Sequence, residues 1–304
     1  MEESLDVLVF GSAIIDFMCY APRLPNPGET LHGTKFQTGF GGKGANQCVA
    51  ATRLGSKTAL IAKLGCDSFG NNYICHLQAE KINVKHVQLL PDYTTGVAQI
   101  AVAHSGENNI IIVVGANKML GPKDVENASY LFDKAKVLVC QLETPINGTL
   151  EALRRFKGIS ILNAAPAIAN APLELIQLCT ILCVNETEAG ILVGRHISSI
   201  NDAFNALAQL IHMGANIVII TLGKIGAVCS SRATVYNCQL VSAPVVPPEL
   251  TKDTTGAGDA FIGALAHSYA HFPEKDLADH IAYANSVASQ SVQRLGTQSS
   301  FPYA

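Results

Sequence analysis

Two glycine-rich segments gather the polar side chains best suited to chemistry. Thr38 to Gly55, TGFGGKGANQCVAATRLG, sets Lys43 and Asn46 among glycines at the start of a helix. Glycines let backbone approach a small ligand closely, and an ammonium with an amide suits hydroxyl groups. Gly39, Gly41 and Gly44 also spell a dinucleotide-binding pattern, with Asp67 further on. That fingerprint must follow a buried strand, whereas Thr34 to Phe40 is short and polar. A phosphate loop fails as well, because Gly44 stands where Ser or Thr would hold magnesium. The second segment, DTTGAGDAFIGALA from Asp253 to Ala266, opens an apolar helix with Gly256, Ala257 and Gly258. Free N–H groups at such an end point at an anion. Asp259, in the first turn beside them, is placed to take a proton from an attacking hydroxyl.

Two further segments lie at strand ends. TLGKIGA, Thr221 to Ala227, follows the apolar run Ile217 to Ile220. With Gly223 and Gly226 it either brings N–H groups and the Thr221 hydroxyl to phosphate oxygens or simply turns a hairpin. NETEAG, Asn185 to Gly190, ends another apolar run, where open α/β sheets place their ligands. Asn185 and Glu188 are three apart, so they share a helix face and offer the oxygen ligands that hydrated Mg²⁺ accepts.

The elements that position these groups follow from periodicity. Apolar β-rich runs at Val7 to Phe10, Ala59 to Ala62, Val137 to Cys140, Ile159 to Asn163, Ile181 to Val184 and Ile217 to Thr221 alternate with amphipathic stretches such as Asn147 to Phe156, Asp202 to Met213 and Ala257 to Ala270. Strands apolar throughout, separated by helices, predict a mostly parallel sheet covered on both faces. Two regions, 13–38 and 94–115, break the rhythm. The second reads as a hairpin, Gly96 to Ala103 and Asn109 to Val114 around a short polar turn. Together they predict a small antiparallel β lid over one α/β domain spanning residues 1–304.

Composition narrows the partners. Lys+Arg 21 against Asp+Glu 24 gives a net charge of −3 over 304 residues, with no basic surplus for a nucleic-acid backbone. Apolar runs stop far short of the ~18 residues a membrane span needs. The start, MEESLDVLVF, is acidic and carries no secretory pattern, so a cytoplasmic protein is expected. Nine cysteines without a C-x-x-C pair read as buried thiols, and nine histidines show no metal-binding spacing.

In combination the segments resemble the ribokinase-like (pfkB) family of ATP-dependent sugar and nucleoside kinases. The likeness runs through the chain in order: GSAIID from Gly11, PGET from Pro27, GGKGANQ from Gly41, TGVA from Thr95, GAN from Gly115, QLE from Gln141, NETEA from Asn185, TLG from Thr221, DTTGAGDAF from Asp253 and GTQSSFPY from Gly296. The resemblance implies a ribokinase-like α/β fold and transfer of phosphate from ATP to the primary 5-hydroxyl of D-ribose. It implies that Asp16, Gly42, Lys43, Asn46 and Glu143 bind the pentose, with Ile14, Gly44 and Ala45 beside them, and that Asp259 is the base. Gly256, Ala257 and Gly258 would form the anion hole. Asn185 and Glu188 would position Mg²⁺, largely through water, and Thr221, Gly223, Gly226, Gly258 and Asn285 would hold the nucleotide with Asn185. An activating K⁺ would sit among Asp253, Thr255, Ser291, Arg294, Gly296 and Ser300. It further implies a homodimer joined through the lids. One departure is Lys252, which follows VVPPELT where the family keeps an apolar strand residue. A strand there would turn Lys252 away from Asp253.

Overall fold

The computed structural model describes residues 4–234 and 237–304, so Glu2 and Glu3 of the acidic start lie outside the described residues. Its strands are β1 (Leu5–Phe10), β2 (Ile14–Ala21), β3 (Lys35–Gly41), β4 (Thr58–Gly65), β5 (Asn83–Leu90), β6 (Gly96–Ala103), β7 (Asn108–Val113), β8 (Ala135–Cys140), β9 (Ile159–Asn163), β10 (Ile181–Asn185), β11 (Ile217–Thr221), β12 (Gly226–Ser231) and β13 (Gln239–Ser242). The helices are α1 (Lys43–Arg53), α2 (Ser68–Ala79), α3 (Pro122–Asn127), α4 (Ser129–Lys134), α5 (Ile146–Arg155), α6 (Leu173–Leu178), α7 (Glu186–Val193), α8 (Ile200–His212), α9 (Ala257–His271) and α10 (Leu277–Ser291).

Among the described residues nine strands form one sheet in the order β13-β12-β11-β10-β9-β8-β1-β4-β5. From β5 across to β11 every pairing is parallel, and β12 and β13 add an antiparallel edge. Successive side chains of β1 serve opposite faces, as the pleat requires. Val7 and Val9 pack under α1, α9 and α10, while Leu8 and Phe10 join the layer made with α5 and α8. Each fully buried Val, Leu or Phe contributes about 1.5–3 kcal/mol of transfer free energy, so the apolar runs of the sequence are held inside the sheet.

The lid is a separate sheet, β3-β2-β6-β7. Its two halves pair antiparallel, β2 with β3 and β6 with β7, and the halves meet through the parallel pair β2–β6. Asn117 clamps the base of this sheet: its Oδ1 accepts from Ala13 N–H at 2.9 Å, and its Nδ2 donates to the Ala13 and Val114 carbonyls, also at 2.9 Å. Because β2 leaves the end of β1 after only three residues, Asp16 is carried over the carboxyl ends of the parallel strands.

The stretch expected as a strand before Asp253 is not one. Pro247 and Pro248 have no N–H to give a ladder, and residues 248–250 form a single 3₁₀ turn instead. Lys252 is exposed all the same, and its N–H and that of Asp253 both reach the Val292 carbonyl, at 2.8 and 3.2 Å.

Candidate active site

The amino ends of α1 and α9 meet above the carboxyl ends of β9, β10 and β11. Lys43, Asn163, Asn185, Glu188, Thr221, Gly256, Gly258 and Asp259 line a cavity of about 210 Å³ there. A larger cavity, about 550 Å³, lies at the opposite ends of the strands among Ser4, Lys57, Lys81, Asn83 and Tyr130, and among the described residues no carboxylate lines it. Carboxylates line the smaller one, at the strand ends where open α/β sheets bind their ligands, and Asp16 lines another cavity of about 280 Å³ with Thr38, Gly39, His76 and Gln298.

Asp259 is buried and held on both oxygens. Asn46 Nδ2 donates to its Oδ2 at 2.8 Å, and Gln47 Nε2 donates to its Oδ1 at 2.9 Å. Gln47 Nε2 also reaches Asn163 Oδ1 at 3.0 Å. Glu143 Oε2 accepts from Ser12 Oγ at 2.5 Å and from the Lys43 N–H at 2.8 Å. The glycine turn before α1 is forced by close packing. A Cβ on Gly41 would stand 2.3 Å from Asp16 Oδ2, and Gly42, at φ 85°, lies against the backbone of Ala13 and Ile14.

Charge is concentrated here. Burial raises the Asp16 carboxyl, and Glu143 and Asp259 add to it, carrying it to about 7. Burial alone would lower the Lys43 ammonium, but Asp259, Glu143 and Glu188 outweigh it and hold it above the ordinary lysine value. Burial likewise raises the Glu188 carboxyl, with the Asn185 N–H and Lys43 opposing and Asp259 adding to the rise.

Several expected positions have other duties. Gly44 and Ala45 donate to Ser12 Oγ and Ser12 O at 3.3 and 2.8 Å, so their amides brace the turn. Ile14 is buried beneath the turn. The Ala257 N–H donates to the Thr254 carbonyl at 3.2 Å, which leaves Gly256 and Gly258 as the members of that trio lining the cavity. Asn185 and Glu188 share a face as expected, but as a reciprocal helix cap: Asn185 Oδ1 accepts from Glu188 N–H at 2.8 Å and Glu188 Oε2 from Asn185 N–H at 2.9 Å. Gly223 has open space on its Cβ side, whereas a Cβ on Gly226 would meet the Val241 carbonyl at 2.1 Å, so that glycine lets β12 pass β13. Asn285 is buried and donates to the same Val241 carbonyl at 3.0 Å. Neither Gly226 nor Asn285 lines the cavity.

The loops expected to hold a cation are tied together by Asp253, whose Oδ1 accepts from Thr255 N–H and whose Oδ2 accepts from Gly296 N–H, both at 2.9 Å. Ser291 and Ser300 are buried, with hydroxyls donating to the Ala288 and Thr297 carbonyls at 2.8 and 2.7 Å. The Arg294 side chain is exposed, and its N–H reaches the Ser291 carbonyl at 3.1 Å.

Residues 4–304 match the family described as pfkB family carbohydrate kinase. The chain belongs to this family. It is 44% identical over 310 residues to the ribokinase of Mus musculus, covering 99% of this chain and 93% of that one. It is 37% identical to a deoxyribokinase of Salmonella typhi, over 98% of this chain and 96% of the relative. The structure of Arabidopsis thaliana ribokinase complexed with ribose and ATP superposes with a TM-score of 0.88 at 28% identity, over 99% of this chain and 96% of that one. The pfkB kinase has the ribokinase-like fold, a large mostly parallel sheet with a small second sheet as lid.

Sequence reasoning missed Gln47, which donates to Asp259; Asn163, which accepts from the same Gln47 amide; and Ser12, which donates to Glu143. Gln47 was within reach: it follows Asn46 in the first turns of a helix, and a buried glutamine must find partners.

Asp16 gives a prediction with a definite sign. Its folded-state pKa of about 7 lies above the ordinary value of 3.8, so the stability it contributes is present below 3.8 and lost as pH rises through 7. Asp16→Asn is expected to raise the melting midpoint at pH 8 by on the order of a few degrees relative to wild type, and to lose most of that advantage by pH 4.5 and the rest below 3.8. Thermal melts of both proteins across this range check it, and an advantage independent of pH would contradict the assignment.

Proposed function

We propose that this kinase phosphorylates D-ribose at its primary 5-hydroxyl, using ATP and giving ribose 5-phosphate and ADP, as a cytoplasmic enzyme. The observation that carries the site reading is Gly258. A Cβ built on it meets no side chain and no backbone outside its own helix turn and neighbours within 4 Å, so tertiary packing gives no reason for glycine in the first turn of a helix, where it costs about 0.5–1 kcal/mol relative to alanine. The reason lies in what fills that space, an anion at the positive end of α9.

Asp16, Lys43, Asn46 and Glu143 supply acceptors and donors around a polyhydroxyl ligand, with Gly42 letting backbone approach it. Asp259 takes the proton of the 5-hydroxyl as the oxygen attacks the γ-phosphorus in line and the bond to the β-phosphate oxygen breaks. The Gly256 and Gly258 amides face the charge that develops. Thr221 and Gly223 flank the polyphosphate. Mg²⁺ fits beside Asn185 and Glu188, where one carboxylate oxygen remains after capping, and would supply charge neutralisation through water and phosphate. A second reading, phosphorylation of deoxyribose, is favoured by the 37% identity to a deoxyribokinase.

Turnover measured on ribose, deoxyribose, fructose and adenosine with ATP tests the substrate, and no activity on ribose would overturn it. Asp259→Asn is expected to lower kcat about 10²–10⁴-fold while calorimetry still detects sugar and ATP binding. Gly258→Ala is expected to keep or raise the melting midpoint yet lower kcat about 10²-fold, because the added methyl enters the anion space. A destabilised but active alanine variant would give the glycine a packing role instead.

For K⁺, the oxygen donors of Asp253, Thr255, Ser291, Gly296 and Ser300 suit a hard monovalent ion, with Arg294 joining through its backbone. A cation there fixes the turn that carries Gly256, so potassium is expected to raise kcat more than ATP affinity. Replacing it with a large organic cation at constant ionic strength checks this, and unchanged turnover would remove the site. The lids support a homodimer: β7 is an edge strand whose Ile110, Ile111, Ile112 and Val113 are 48–66% exposed, and such edges and patches recruit partners. Light scattering at micromolar concentration is expected to give twice the chain mass, and a monomer would contradict it.

A further inference from the structure

We propose that Gln298 is a positioning residue for the general base, fixing through Asn46 which face Asp259 presents to the sugar. The inference rests on the reading of Asp259 as the base. Gln298 is buried in the loop whose Gly296 is bound by Asp253. Its Nε2 donates to Asn46 Oδ1 at 2.9 Å and to Tyr73 Oη at 3.0 Å, and its Oε1 pairs with His76 Nε2 at 2.7 Å.

The direction of every bond in this chain follows from one group that cannot donate. Tyr73 gives its hydroxyl proton to the Gly41 carbonyl, so toward Gln298 its oxygen only accepts. Gln298 must therefore turn its NH₂ toward Tyr73, which turns the same NH₂ toward Asn46. Asn46 must answer with its carbonyl oxygen, and its own NH₂ is left for Asp259 Oδ2 at 2.8 Å. With the opposite amide orientation, Asn46 would set a carbonyl oxygen against a carboxylate. Arg53 holds the Gln298 carbonyl, and Thr297 packs on Gly256, so the side chain is anchored to the same loop that borders the anion space. One amide thus links the loop after α10, the end of β3 at Gly41 and Asp259.

Two substitutions test this. Gln298→Glu keeps size and the acceptor for His76 but removes the donor to Asn46, and Gln298→Met removes all three bonds. Both are expected to lower kcat on the order of 10²-fold, as misplacement of a reacting group by about 1 Å does, with the KM for ATP changed less than twofold. In the Asn46→Ala background, Gln298→Met is expected to add no further loss, since its route to the base is already cut. The ratios are read on whichever sugar the wild type phosphorylates fastest, so the substrate reading stands or falls on the wild-type panel alone. Asp259→Asn separately tests the base. Wild-type kcat in Gln298→Glu, or full additivity in the double variant, would overturn the inference. If Gln298→Met fails to fold, Gln298→Glu decides.

Discussion

The close contact between α1 and α9 is the constraint on which the rest of the site depends. Gly263 sits so near α1 that a Cβ there would lie 2.5 Å from Ala50 Cβ and 2.8 Å from the Gln47 carbonyl. Residues four apart on a helix lie on one face, so Asp259 stands one turn above Gly263, while Asn46 and Gln47 stand one turn above Ala50 and Ala51. Small residues below thus set the distance at which two short amides above can reach one carboxylate. A bulkier seam would part the helices, and neither Asn46 nor Gln47 is long enough to restore its bond.

That seam also explains how so much charge is tolerated. Glu143, Asp259 and Glu188 surround one ammonium, Lys43, and Asp16 adds a further carboxyl beside Glu143 and Asp259, in a site that excludes much of the water. Amide and hydroxyl donors from Asn46, Gln47 and Ser12 satisfy two of the carboxylates without adding positive charge. Asp16 is left with burial and like-charged neighbours, which is why its carboxyl rises to about 7. A group that destabilises the fold when ionised is kept where hydroxyl groups of a ligand can solvate it, the usual bargain between stability and function.

The large sheet and the lid were legible because both write themselves locally: unbroken apolar runs for buried parallel strands, and a polar turn at His104 to Glu107 between two β runs for the hairpin of β6 and β7. Glycine-rich turns were legible as sites for the same reason. The partners of Asp259 were not, because Asn46 lies 213 residues from it and Gln298 lies 252 residues from Asn46 in sequence. Periodicity carries no information about which amide a folded chain turns toward which carboxylate. Gly226 and Asn285, expected as nucleotide contacts, both meet the Val241 carbonyl, a packing contact that no local pattern around a glycine next to a strand could announce.

The same long separations determine when the site can exist. Arg53, at the end of α1, holds the carbonyls of Gln298 and Phe301, and the Arg53 carbonyl accepts from the Ala304 N–H at 3.0 Å. Arg53 is itself buried against Glu80, an ion pair whose desolvation is justified only if its geometry is fixed by further hydrogen bonds, and the two carbonyls supply them. The last residues of the chain are therefore locked onto a helix from its first fifth, and through Gln298 they complete the polar network around Asp259. The donors to Asp259 and the amide that orients one of them lie 213, 212 and 252 residues from their partners, so the polar network around Asp259 needs the long-range topology. The active arrangement and the native fold are reached together because the same buried amides specify both.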